Sequence, residues 1–95
     1  LASRFAYGEQ ITEEKLRMVD KAEQLLLDMG FYQFRVRVHG KMARIEVLPE
    51  DMKKIFENDN RMLIVTRLKE LGFQYITLDL QGFRSGSMNE VLQKK

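Results

Sequence analysis

Apolar residues recur at helical spacing through Leu16, Val19, Ala22, Leu26 and Met29. That stripe predicts a helix over 12–29. Thr12 stands where an N-cap hydroxyl belongs, Glu13 and Glu14 suit the positive end of the helix dipole, and Gly30 supplies the stop. The period then changes to two. Phe34, Val36 and Val38 alternate with Arg35 and Arg37, and Ala43, Ile45 and Val47 alternate with Arg44 and Glu46. A β-hairpin is expected, turning at Gly40-Lys41 through a loop longer than the ideal two residues. Pro49-Glu50-Asp51 reads as a helix start whose buried side is Met52, Ile55 and Phe56, with Asn58-Asp59-Asn60 as an interruption. A further helix over 61–71 carries Ile64, Val65, Leu68 and Leu71 and stops at Gly72. A strand over 74–80 sets Ile76, Leu78 and Leu80 on one face and Thr77 and Asp79 on the other. The remainder, rich in Gly, Ser and Asn, reads as a loop with a short helix from Met88.

The chain echoes itself. Met29-Gly30-Phe31 and Leu71-Gly72-Phe73 each end a helix, supply a Phe to pack back on it, and lead into a strand. Two such units around a hairpin give the order α-β-β-α-β. The expected fold is α/β (α+β): a small, mainly antiparallel three-stranded sheet covered by helices on one face. It amounts to a ferredoxin-like half, with Arg4–Tyr7 available as a further strand.

Composition narrows the chemistry. A 44% hydrophobic share fits a single ordered domain over residues 1–95. No apolar run approaches the ~18 residues of a membrane span. The chain has no cysteine and one histidine, so disulfides, thiol nucleophiles and multi-histidine metal sites are excluded within it. A cytoplasmic setting fits. The net charge of +2 is unevenly spread: residues 31–48 hold Arg35, Arg37, Lys41 and Arg44 against Glu46. A patch confined to one hairpin suits a small anion better than a long nucleic acid.

With helices on one sheet face, the other collects Arg35, Arg37, His39, Arg44, Glu46, Thr77 and Asp79. Arginines at i and i+2 of a strand lie about 6.6 Å apart, so both guanidinium forks could reach one phosphate or carboxylate. The same residues could equally form a solvated face with cross-strand pairs of Arg37 or Arg44 with Glu46 or Asp79. Gly82 to Ser87 could cradle phosphate with backbone amides, or be an ordinary surface turn. Glu23 on the first helix could sit exposed or bind Mg2+. No nucleophile–base pair is visible, so no catalytic residue is assigned in this chain.

The phrases Leu1-Ala2-Ser3-Arg4-Phe5-Ala6-Tyr7-Gly8, Ile11 to Leu16, Phe34-Arg35-Val36-Arg37, Ala43 to Val47 and Tyr75 to Glu90 together resemble the C-terminal half of the LarE-type, ATP-dependent sacrificial sulfur transferases, members of the PP-loop ATP pyrophosphatases. The resemblance implies a parent enzyme using ATP and Mg2+ at an N-terminal PP-loop domain to adenylate a pyridinium carboxylate mononucleotide. A cysteine then surrenders its sulfur, and the product feeds the nickel-pincer cofactor of lactate racemase; some relatives use an iron–sulfur cluster instead. The phosphate loop and the donor cysteine, expected before Leu1, are not among these residues. The resemblance therefore implies a C-terminal substrate-binding and oligomerisation domain, with no cofactor bound and no activity by itself. Its partners would be its own PP-loop domain, further copies in a homo-oligomer, and a small anionic nucleotide. By the same resemblance Arg35 and Arg37 would hold a phosphate or pyrophosphate. Ser3 and Arg4 would line the pocket, and Glu23 and Asp51 would be acidic, metal-proximal residues.

Two other readings compete. An RNA-binding module is argued against by Phe31, Phe34 and Phe73 falling on core positions, which leaves the polar face without stacking rings. A purely structural oligomerisation domain would need no anion at all.

Overall fold

In a computed structural model, residues 4–5 and 8–84 are described. Helix α1 (Glu13–Asp28) begins at Thr12, whose hydroxyl accepts the Lys15 amide. Strands β1 (Phe34–His39) and β2 (Met42–Val47) form the hairpin. A 3-10 turn at Pro49–Asp51 leads into α2 (Met52–Ile55), followed by α3 (Asn60–Leu71) and β3 (Tyr75–Leu78). At the end of α1 the Phe31 amide returns to Leu26 O, and at the end of α3 the Phe73 amide returns to Leu68 O. Both phenylalanines are buried. The repeated helix–Gly–Phe–strand phrase is thus one structural device used twice.

The α+β class and the one-sided helical cover are those expected. Within the sheet, β1 and β2 pair antiparallel from Phe34 with Val47 to His39 with Met42, whereas β2 and β3 pair parallel from Met42 with Tyr75 to Ile45 with Leu78. The sheet, ordered β1-β2-β3, is therefore mixed. Residues 48–74 form the long helical crossover that a parallel pairing requires. The hairpin loop is the tight two-residue Gly40-Lys41, because Met42 already pairs with His39. Gly40 at φ 60 sits where a II′-type turn needs a left-handed first residue.

Val36, Val38, Ala43, Ile45 and Val47 are buried on the helical side, with Val19, Ala22 and Leu26 of α1 and Ile64 and Leu68 of α3 over them. Two sequence expectations differ. Leu80 is 81% exposed because β3 ends at Leu78, and Phe56 is 65% exposed because α2 closes at Ile55.

The outer edge of β1 is stitched to the segment preceding α1. Phe5 makes a parallel bridge to Val38, so Arg4–Phe5 lies where the further strand was expected, as one bridge rather than a strand. Glu23 Oε1 and Oε2 accept Arg4 Nη2 (2.9 Å) and Nε (3.0 Å), and Oε2 also accepts the Val36 amide at 3.0 Å. Glu9 accepts the Gly40 amide at 3.0 Å and pairs with Lys15. Side chains and one bridge thereby cover an edge that would otherwise invite pairing with another chain.

Glu23→Ala should remove all three of its contacts. We expect a loss of about 2 kcal/mol of unfolding free energy in urea titrations, with hydrogen exchange at the Val36 amide accelerated beyond the general increase that the lost stability gives core amides such as Ala43. Unaltered exchange at Val36 would show that the carboxylate does not hold that edge.

Candidate functional site

The strand register dictates the chemistry of the other sheet face. Arg35 stands opposite Glu46, Arg37 opposite Arg44, and Arg44 beside Thr77. Two arginines directly opposed across a ladder repel. Glu46 resolves this: Oε1 accepts Arg37 Nη2 at 3.2 Å and Oε2 accepts Arg44 Nη2 at 2.9 Å. Arg37 is 2% exposed and Glu46 fully buried, so this face is not simply solvated. The chain of charges continues from Arg44 Nε to Asp79 (3.6 Å) and from Asp79 to Arg84 (4.0 Å). The cross-strand pairings anticipated from the sequence are present, but in a covered setting.

The cover is the segment after β3. Asp79 turns the chain, its carboxylate accepting the Gln81 amide and its carbonyl the Gly82 amide. The Phe83 amide then donates to Val47 O at 2.7 Å. Arg37 Nη2 donates to Arg84 O at 3.5 Å. Gly82 lies at φ +88, and a Cβ there would fall 3.0 Å from Val47 O and 3.1 Å from Pro49 ring carbons. Only glycine suits so close a crossing. This crossing brings Phe83 beneath Arg35, whose guanidinium carbon is 5.5 Å from the ring centre. Arg35 Nη1 donates to Phe34 O at 2.9 Å. Among the described residues Arg35 forms no ion pair with a carboxylate.

Arg35 and Arg37 therefore share one face, as the alternation required, but in unlike states: Arg37 is buried against Glu46 and Arg35 is half-buried on an aromatic ring. Arg4 and Glu23 meet each other at the outer edge of β1. A metal ion at Glu23 would have to displace the Arg4 guanidinium or the Val36 amide. Asp51, on the turn after β2, lies 3.9 Å from Lys54. Among the described residues no three His, Cys, Asp or Glu side chains gather in one place. Ser3, and the Ser85–Glu90 part of the tail phrase, lie outside the described residues. A cleft of about 330 Å³ between α1 and α3 is lined by balanced charges including Lys21, Asp28, Arg67 and Glu70. An apolar cleft of about 200 Å³ lies among Ile55, Ile64, Ile76 and Leu78. Neither includes Arg35 or Arg37.

The polar face also carries aromatic rings: Phe83, and Tyr75, which is 65% exposed and pairs with Met42. Core placement of three phenylalanines thus did not empty this face of rings. His39 ends the arginine row, its Nε2 buried without a hydrogen-bond partner. Burial, then the nearby Arg44, holds its pKa below the ordinary 6.5, with Arg37 acting in the same sense against Glu9 and Glu46. Glu9 is held below its ordinary 4.5 chiefly by the hydrogen bond from Lys15, then by that from the Gly40 amide. No helix among the described residues is long and apolar enough to cross a membrane.

No family model matches the chain. It is similar to the pyridinium-3,5-bisthiocarboxylic acid mononucleotide synthase of Lactiplantibacillus plantarum, with 45% identity over 98 residues covering 99% of this chain and 33% of the synthase. It is similar in the same degree, 45% over 94 residues, to an uncharacterized protein of Synechocystis, covering 99% of this chain and 35% of that one. A protein of Methanocaldococcus jannaschii, also uncharacterized, is 28% identical over 85 residues, which cover 90% of this chain and 32% of that protein. The chain spans about a third of the length of the curated relatives it matches.

Glu46→Ala would leave Arg37 and Arg44 face to face; we expect a loss of about 3–5 kcal/mol in denaturant titrations, and a loss below ~1 kcal/mol would mean the carboxylate is dispensable. Acid should act through His39 and Glu9. Each has a folded-state pKa below its unfolded one, so each contributes stability above the unfolded value and ceases to as pH falls through the folded value. Melting temperature should therefore hold at neutral and higher pH and decline below 6.5 through His39, then again below 4.5 through Glu9. His39→Gln should abolish the first decline alone.

Proposed function

We propose that this chain is the substrate-phosphate-binding part of an ATP-dependent sulfur transferase acting on a pyridinium carboxylate mononucleotide in nickel-pincer cofactor synthesis. The observation that carries the reading is Arg35: a half-buried guanidinium, held by a ring and a backbone carbonyl, without a carboxylate partner among the described residues. A planar fork so placed is suited to a phosphate, and charge-assisted contacts of this kind are the strong ones. Arg37 and Arg44, tied through Glu46, add a fixed positive field beside it. Support comes from the synthase that is 45% identical along 99% of the chain, whose named product is itself a mononucleotide.

The chain contains no cysteine, so a thiol sulfur donor has to come from outside these residues. Glu23 and Asp51 stay in the proposal as metal-proximal acids, with Glu23 held by Arg4 and the Val36 amide and Asp51 beside Lys54. The proposal accordingly assigns ATP, Mg2+ and sulfur release to sequence that the relatives carry beyond the matched third. It also includes homo-oligomer assembly, drawn from the resemblance, and a cytoplasmic setting, drawn from the lack of cysteine. A second reading, single-stranded RNA binding, has one observation in its favour, the exposed Tyr75 ring on the basic face.

The test is titration of the ¹⁵N-labelled 95-residue protein with pyrophosphate and with nicotinic acid mononucleotide. Saturable amide shifts should centre on Arg35 and Phe83, and Arg35→Ala should weaken binding at least about tenfold. Shifts indifferent to that variant would sink the anion site. Tighter binding of oligoribonucleotides, falling steeply with salt, would favour RNA instead.

A further inference from the structure

We propose that Phe83 is a positioning residue for Arg35, and that the crossing segment Gly82–Arg84 is a working wall of the anion site rather than a passive turn. The inference rests on the phosphate-binding reading above and adds to it the residue that sets the guanidinium's orientation.

Arginine side chains on an exposed strand face are ordinarily mobile, and ordering one on binding costs rotamer entropy. Arg35 has little of this freedom left. Its Nη1 is hydrogen-bonded to Phe34 O at 2.9 Å, which fixes one tip of the fork. Its carbon lies over the Phe83 ring at 5.5 Å, within the range in which the ring quadrupole attracts a cation. A guanidinium has five N–H donors and no acceptor, and one is spent on the carbonyl. The ring takes up a face of the cation and no N–H. Stacking thus orients the cation without consuming the donors an oxyanion would use. A carboxylate in the place of Phe83 would hold Arg35 as firmly but compete with the ligand.

The position of Phe83 is itself built. Its amide is bound to Val47 O at 2.7 Å, the preceding residue must be glycine to pass Val47 and Pro49, and the following Arg84 reaches Asp79 at 4.0 Å while its carbonyl accepts from Arg37. Contacts to β2, its following turn, the residue after β3 and β1 therefore converge on the three-residue segment Gly82–Arg84, with Phe83 at its centre. The wall sits over Glu46 and Arg37, so the ligand it favours is a compact, multiply charged oxyanion such as a phosphate monoester or pyrophosphate that can accept from Arg35.

The experiment compares wild type, Phe83→Leu, Phe83→Tyr and Arg35→Ala of the 95-residue protein, using pyrophosphate as probe, with affinity by calorimetry and the Arg35 Nε–H resonance by NMR. In the wild type that proton should show an upfield ring-current shift. Phe83→Leu should lose the shift and weaken pyrophosphate binding about five- to tenfold, while Phe83→Tyr should restore both; a purely structural role would not tie affinity to the ring-current signal. If Phe83→Leu binds as wild type while Arg35→Ala does not bind, the anion site stands and the positioning role is overturned. If Arg35→Ala binds as wild type, or the wild type binds no pyrophosphate, the phosphate reading fails and this inference with it.

Discussion

The carboxylate of Glu46, lying between two guanidinium groups, is the constraint on which the rest of this molecule rests. The hairpin register that buries Val36, Ile45 and Val38 against the helices necessarily sets Arg37 opposite Arg44 on the reverse side. Neither strand can slip by one residue without turning its apolar set away from the helices. The apolar face therefore imposes a like-charge clash on the polar face, and a fully buried acid bridging both partners removes it. A buried ion group of this kind adds little net stability over a well-packed apolar equivalent. Its presence is easier to understand as the foundation of a charged surface than as a stabilising device.

Around that centre the sheet is finished unequally. On the β1 side, Glu23 ties the segment before α1 to the strand through a side chain and a backbone amide at once. On the polar side, the segment after β3 crosses back over the hairpin and is admitted only because residue 82 has no side chain. Both closures use chain from outside the α-β-β-α-β unit. The regular elements supply a frame, and the connecting segments decide which of its charged groups remain available.

The frame was legible in the sequence because it follows from period. The stripe through Val19, Ala22 and Leu26, the alternation through Val36 and Ile45, and the repeated Gly-Phe stops each depend on neighbours close in the chain. Pairings between Arg37, Arg44, Glu46 and Asp79 could be anticipated from alternation as well. The parallel direction of β3 could not, since it depends on how residues 48–74 cross the sheet. Nor could the burial of Glu46, because nothing local distinguishes an outward strand position that is solvated from one later covered. Phe83 carried a signal of a kind, an aromatic residue in a Gly- and Ser-rich stretch, but its meaning depends on a contact with a residue nearly fifty positions earlier in the chain. The proposed site residues divide in the same way: Arg35 and Arg37 share a face for reasons of period, while their unlike environments arise from tertiary cover.

The two edges of the sheet also differ in a way that bears on self-association. β1 is occupied along its outer side by the Phe5 bridge and the Glu23 contact, whereas β3, short and uncharged from Tyr75 to Leu78, has no strand beyond it among the described residues. A sheet open at both margins can recruit copies without limit and propagate as a fibre. A sheet open at one margin can add a single neighbour, and if that neighbour is its own twin the addition closes on itself. Among the described residues, the stitching of β1 would thus act as a chain terminator for an assembly that adds strands through β3.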